Sequence, residues 1–282
     1  MAFSAADVMK LRNETDAPMM ECKAALTEAD GDFERAKTLL REKGKAAAAK
    51  RADRSTSAGV VAFASSADGK TVGGVVLESE TDFVAKNEMF IAVAQQIAEA
   101  FRDNDPGSDP YAVKVGDGTV RDIVDQAVGK IRENIVVAKA LHLSGGGQVA
   151  VYVHHDRTKG AAIELDGDAT TAMDAGFKVA VQTVSNPPQF IAKDEVPQSK
   201  IDSEMEIEVQ RALKEGKPEN IAKNVAMGRI NKEYLKQVVL LEQPFYADAA
   251  KSVGQYLQEE AKAGGGSLAV ISFHYLGVGG GS

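Results

Sequence analysis

Cysteine is nearly absent: among 282 residues there is only Cys22. One thiol excludes an intramolecular disulfide framework and a multi-cysteine metal site, and it fits a reducing compartment. Long apolar runs are missing too. Nothing in the chain approaches the roughly 18 consecutive apolar residues that a membrane helix needs. The opening stretch MAFSAADVMKLRNETD lacks the basic start and unbroken apolar segment of a secretory signal. A cytoplasmic protein with no membrane contact is expected. Excess positive charge is also lacking: the net charge is −8, which argues against nucleic acid as the main ligand, because phosphate backbones bind to basic fields.

The motifs of common chemistry are missing as well. The histidines, His142, His154, His155 and His274, form no HExxH pattern, and there is no GxxxxGK[ST] phosphate loop. The GGG runs at 145–147 and 264–266 lead into strand-like stretches rather than opening helices. His154 and His155 are adjacent, so on a strand their side chains would point to opposite faces; by spacing they also read as histidines of the strand end or turn. Cys22 lies at helical spacing from Leu26 and reads as a buried structural thiol. No set of acid, base, nucleophile and metal ligands emerges. The expectation is a protein without catalytic residues, metal ligands or cofactor, one that presents surfaces instead.

What is present is a clear order of elements, and it points to an α+β protein. Residues 1–44 read as three short helices, with Ser4 capping the first, Pro18 in the first turn of the second, Asp32 capping the third and Gly44 ending it. Residues 45–57, alanine-rich and basic, read as a linker with some helical character. Residues 58–144 and 145–282 each read β-β-α-α-β, a repeat. In the first half one long helix is expected over 84–102. The second half carries an insertion at about 198–240, two amphipathic helices separated by Gly-Lys-Pro. Their expected seam is Ile201, Met205, Ile207, Val209 and Leu213 against Ile221, Val225, Ile230 and Leu235, an antiparallel helical hairpin.

Two local patterns stand out. At ESETDFVAKNEMF, residues 78–90, a β-forming run turns into a helix, and Thr81, Asp82 and Phe83 sit at the join. Asp82 suits a helix start. Phe83 either packs where strand meets helix or is presented outward. Met19 and Met20 begin the second helix; one can pack inward while the other offers a soft, adaptable contact.

These residues carry a resemblance. LRNETDAPMMECKAALTEADGDFERAKTLLREKG (11–44), ETDFVAKNEMF (80–90), IRENIVV (131–137), VQTVSNPPQFI, GKPENIAKNVAMGRINKEY and LLEQPF resemble, in order, elements of the elongation factor Ts family. The resemblance covers nearly the whole chain. It implies an N-terminal three-helix module of the ubiquitin-associated type and two similar α+β subdomains with a coiled-coil arm inserted in the second. It implies a guanine-nucleotide exchange factor whose partner is elongation factor Tu, with GDP and Mg²⁺ belonging to that partner and no covalent step. Carried over, Thr81, Asp82, Phe83 and Val84 disturb the partner's Mg²⁺ site. Leu11, Met19 and Met20 touch a helix of its GTPase domain, and His154 faces the partner. The chain departs from the pattern at Asp16, where the family often has glycine, and it lacks paired arginines after the Asn-Ile strand. A binding adaptor using only the three-helix module is the competing expectation.

Overall fold

The computed structural model describes residues 3–15 and 17–279; Asp16 lies outside them. Three helices come first: α1 (Ala5–Thr15), α2 (Met19–Glu28) and α3 (Phe33–Ala49). Each start has a local cause. The Ser4 backbone N–H and hydroxyl both donate to Asp7 (2.8 and 2.8 Å), α2 follows Pro18, and Asp32 accepts from the Arg35 N–H (3.0 Å). Val8, Leu11, Cys22, Ala25, Leu26 and Ala36 close a small core between them. Helix α3 does not stop at Gly44 as expected; it continues to Ala49 and takes five residues from the expected linker. Gly44 is a contact residue rather than a terminator. A Cβ there would lie 3.4 Å from the Asp125 carbonyl, and one on Gly129 would lie 3.4 Å from the Gly44 Cα. The following alanines then carry the helix on.

The first sheet has the order β1-β2-β5, where β1 (Ala58–Ser65), β2 (Val72–Ser79) and β5 (Ile135–Leu143) pair antiparallel. Between β2 and its next strand lie α4 (Asp82–Ala85), α5 (Glu88–Asp103), the two-residue strands β3 (Lys114–Val115) and β4 (Gly118–Thr119), and α6 (Val120–Ile131); β5 (Ile135–Leu143) follows. The single helix expected over 84–102 is two helices. Asn87 interrupts it, in extended backbone, by accepting the Met89 N–H (2.8 Å) as an N-cap.

The second sheet pairs β6 (Gln148–Val153) with β7 (Lys159–Asp166), and β7 with the last strand. The chain runs on through α7 (Ala172–Ser185), α8 (Gln198–Lys214), α9 (Glu219–Arg229), a wide helical turn at 230–234, α10 (Leu235–Val238), β8 (Pro244–Phe245), β9 (Asp248–Ser252), α11 (Val253–Ala263) and β10 (Ala269–Gly277).

Strand alternation builds the layers. Val60, Ala62, Ala64, Val75 and Leu77 face α5 and α6 through Phe90, Ile97, Phe101 and Val124. The intervening Val61, Phe63, Val72 and Val76 face Val149, Ala162 and Leu276 of the second sheet. Ala150, Ala161, Ile163 and Leu165 in turn face α7 and α11. The result is helix, sheet, sheet, helix, and both faces of β1 and β2 are buried, so these strands read as near-continuous apolar runs. The chain is thus mixed helix and sheet, as the α+β reading expects.

Helices α8 and α9 fold back on each other, but not through the expected seam. Ala212, Ala222 and Ala226 are buried between them, while Ile207 is 59% exposed and Leu213 and Ile221 also face out. Small residues let the helix backbones come close. Beside the alanines, the buried Glu208 accepts from Arg211 and Arg229 (3.2 Å each). Ile230 and Leu235, by contrast, do reach a core, with Ile201 and Met205 packed on it at the hairpin's base.

Candidate functional site

The strand-to-helix turn after β2 is built from hydrogen bonds outward. Ser79 is buried, and its hydroxyl donates to the Thr81 carbonyl (3.1 Å). Thr81 is the N-cap of α4 and accepts the Val84 N–H (3.5 Å). Thr81 is itself held from behind: its N–H and its hydroxyl donate to the two carboxylate oxygens of Glu133 (3.0 and 2.7 Å). Glu80 accepts the Asn134 N–H (2.7 Å) and pairs with Arg54 (3.3 Å). Bonds to a carboxylate are shorter and stronger than neutral ones, so the turn is anchored on two sides.

Each of the four residues that the family resemblance singles out then has a distinct position. Val84 is half-buried and packs against the α5–α6 core. Asp82 is exposed and pairs with Lys86 (2.7 Å); the Lys86 hydrogen bond holds its carboxyl below the usual carboxylate range. Phe83 is 82% exposed. A phenyl ring in water on a hydrogen-bonded turn forgoes the burial that a Phe side chain ordinarily finds.

In the N-terminal module, Met19 is exposed and Met20 more so, at 72%, whereas Leu11 is 0% exposed. The expectation that Leu11 touches a partner needs correcting: Leu11 is enclosed by its own three helices, and its role is to support them. Cys22 is buried in that core, with its thiol near the Ala17 carbonyl (3.5 Å).

The adjacent histidines take the turn position of the two expected, strand or turn. β6 ends at Val153, so His154 and His155 lie in the turn and their rings sit 4.3 Å apart instead of on opposite faces. His154 is half-buried, with Nδ1 3.0 Å from the Tyr152 hydroxyl. The turn is held to the first sheet, where the Val61 N–H donates to the Arg157 carbonyl (2.7 Å). The Nδ1 of His142 lies 2.7 Å from the Phe101 carbonyl, and burial pushes His274 below the ordinary imidazole value. Among the described residues no group of three His, Cys, Asp or Glu could hold a metal ion, and no helix is long and apolar enough to cross a membrane.

Sequence reasoning missed Glu133 as the partner of Thr81 and Asn134 as the partner of Glu80. Both lie in the quoted IRENIVV stretch, but they are about fifty residues from the groups they hold, and no periodic signal spans that distance.

A family model described as Elongation factor TS matches residues 80–280, beginning at the anchored turn. Among similar curated proteins, Elongation factor Ts of Methylobacillus flagellatus is 38% identical over 279 residues, covering 98% of this chain and 93% of that protein. Elongation factor Ts of Thiobacillus denitrificans is 38% identical over 260 residues, 92% of this chain and 88% of that protein. Elongation factor Ts of Clostridium botulinum is 37% identical over 277 residues, 96% of this chain and 91% of that protein.

Proposed function

The chain belongs to the elongation factor Ts family and is a translation elongation factor, and with that as premise we propose that it binds elongation factor Tu carrying GDP and promotes release of the nucleotide. The carrying observation is Phe83, a large apolar ring held in solvent by an anchored turn. Its burial against a partner is favourable by about 1.5–3 kcal/mol. The ring acts as a wedge near the partner's nucleotide. Mg²⁺ demands near-ideal octahedral geometry and leans on phosphate oxygens, so a small displacement of the loop around it weakens the grip on GDP.

Asp82 stands beside the ring at the helix start, Thr81 fixes the turn, and Val84 ties it to the core. Met19 and Met20 supply an adaptable apolar contact to the GTPase domain. His154, half-buried in its turn, is the lesser contact. The nucleotide and its metal belong to the partner, and no covalent chemistry is involved. Linkage makes the antagonism reciprocal: a factor that loosens GDP is loosened by GDP. A nucleotide-free complex forms and GTP resolves it.

The same premise supports reading residues 1–44 as a module of the ubiquitin-associated type. It also supports reading the two sheets with their helices as two copies of one β-β-α-α-β unit, at about 58–144 and 145–282, with the α8–α9 hairpin inserted in the second. A cytoplasmic location fits a translation factor.

The test is release of a fluorescent GDP analogue from elongation factor Tu. Phe83→Ala should slow stimulated release about 10- to 100-fold, the kinetic equivalent of the lost burial, with the thermal unfolding of the factor unchanged. Stimulation at the wild-type rate by a folded Phe83→Ala protein would eliminate the wedge and leave the adaptor reading, in which Met19 and Met20 alone carry binding.

A further inference from the structure

Three segments distant in sequence meet at residues 132–134, the corner between α6 and β5. Arg132 adopts the left-handed conformation (φ 69°) that ends α6. Its guanidinium pairs with Glu21 in α2, the residue after Met20, and its carbonyl accepts from the Arg51 Nε (3.0 Å) in the connection leaving α3. Glu133 accepts both donors of Thr81 (3.0 and 2.7 Å). Asn134 is 5% exposed. Its N–H donates to Glu80 (2.7 Å), and its side-chain amide donates to the carbonyls of Arg54 (2.7 Å) and Ala52 (3.4 Å). Three consecutive residues thus touch the helix that carries Met19 and Met20, the connection between module and sheets, and the turn that carries Phe83.

We infer that Arg132, Glu133 and Asn134 are positioning residues that hold Phe83 and the Met19–Met20 pair in one fixed relation, so that both reach a single protein partner together. This rests on the reading of Phe83 as a partner wedge. The physical reason is the advantage of a preorganised two-point contact. When two contacts belong to one rigid body, making the first presents the second at high effective concentration. When the body is loose, its ordering is charged against binding. A wedge has a further requirement: a ring on a yielding turn retreats when pushed, and only a braced ring displaces the partner's loop. Glu133 braces the turn directly through Thr81, and Arg132 braces the module through Glu21.

The test uses the full chain. Glu133→Gln keeps the side-chain length but offers an amide N–H to one of the two Thr81 donors. In the free protein, amide hydrogen exchange at Thr81–Val84 should rise about tenfold or more while β1, β2 and α5 stay protected, a local opening. With elongation factor Tu, the maximal rate of GDP release at saturation should fall about five- to twentyfold, with the half-saturating concentration shifting less than about threefold. Thr81→Ser, which keeps both donors to Glu133, should leave hydrogen exchange at Thr81–Val84 of the free protein at the wild-type level.

For the module side, Met20→Ala should raise the half-saturating concentration about fivefold in the wild-type background but less than about twofold in Arg132→Ala, as coupled contacts do. Unchanged exchange at Thr81–Val84 in Glu133→Gln, or an equal cost of Met20→Ala in both backgrounds, overturns the inference. So does a loosened turn that releases GDP at full rate. Failure of the wedge itself shows separately, as a neutral Phe83→Ala, and hydrogen exchange in the free protein still decides whether Glu133 braces the turn.

Discussion

Leu11 and Phe83 are both large apolar residues in or beside helical segments, and they have opposite fates. Leu11 has no exposure and closes the core of the module with Leu26 and Ala36; Phe83 stands in solvent. What separates them is the neighbourhood. Around Leu11 two further helices return within forty residues. Around Phe83 the polar groups of Thr81 are taken up by Glu133 and the carboxylate of Glu80 by Asn134, and the ring is left outside. Mutation should read this difference directly. Leu11→Ala should cost about 2–5 kcal/mol, the range for a core leucine, seen as unfolding of the module at lower denaturant. Met20→Ala should change stability by less than about 0.5 kcal/mol and act only on binding. Equal effects of the two on a urea unfolding curve would mean that the assignment of core and surface is wrong.

At the scale of elements, the α8–α9 hairpin shows how close packing overrides the apolar stripe. Isoleucine and leucine at helical spacing predict a bulky seam, yet the helices meet on Ala212, Ala222 and Ala226, with Glu208 neutralised between two arginines. Alanine allows the backbones to approach, and the larger side chains are then forced to the flanks. Ala226→Leu should therefore destabilise the hairpin by about 1–3 kcal/mol through overpacking. Ile207→Ala should lie within about 0.5 kcal/mol of wild type. Site-resolved hydrogen exchange along α8 and α9 measures both, and a tolerated Ala226→Leu would count against an alanine seam. Exposed Ile207, Leu213 and Ile221 line the outside of this arm.

On the scale of the whole molecule, the module is fastened to the sheets along α3 and α6. The glycines 44 and 129 let the two helices approach, and Asp122 bridges them by pairing with Arg41 (2.6 Å) and Lys45 (3.2 Å). A cleft of about 350 Å³ remains along this seam, lined among others by Leu40, Arg41, Asp125 and Gly129. The Arg41 hydrogen bond, chiefly, holds the Asp122 carboxyl well below the usual carboxylate range, against the opposing effect of burial. A depressed folded value means that the stabilisation is complete above the unfolded value of about 4 and is lost as pH falls through the folded one. One turn on, Asp125 runs the other way. Burial raises it, opposed by Arg121, Lys45 and Arg41 and reinforced by Asp122, so it takes up a proton more readily when folded. Asp122→Asn, which keeps an oxygen for the Thr119 cap, isolates the first effect. Urea unfolding below pH about 4 should show a shallower acid loss in the variant than in wild type; identical pH slopes would remove the bridge as a source of stability.

Much of this was legible in the chain itself. Capping residues such as Ser4 and Asp32, the glycine-marked turns and the alternation of apolar residues specify local structure because they act over a few residues, and they yielded the order of helices and strands. The anchored segment 80–90 was legible as a pattern, and its family follows from it. What the chain could not declare is anything set by groups brought together from afar. Gly44 reads as a stop until α6 lies against it. Asn87 divides a helix that looks continuous. Above all, whether Phe83 faced inward or outward depended on Glu133 and Asn134, some fifty residues on, taking up the polar groups of its turn. Only a folded chain makes that contact, because hydrogen bonds and packing depend on distance in space and not on distance along the sequence.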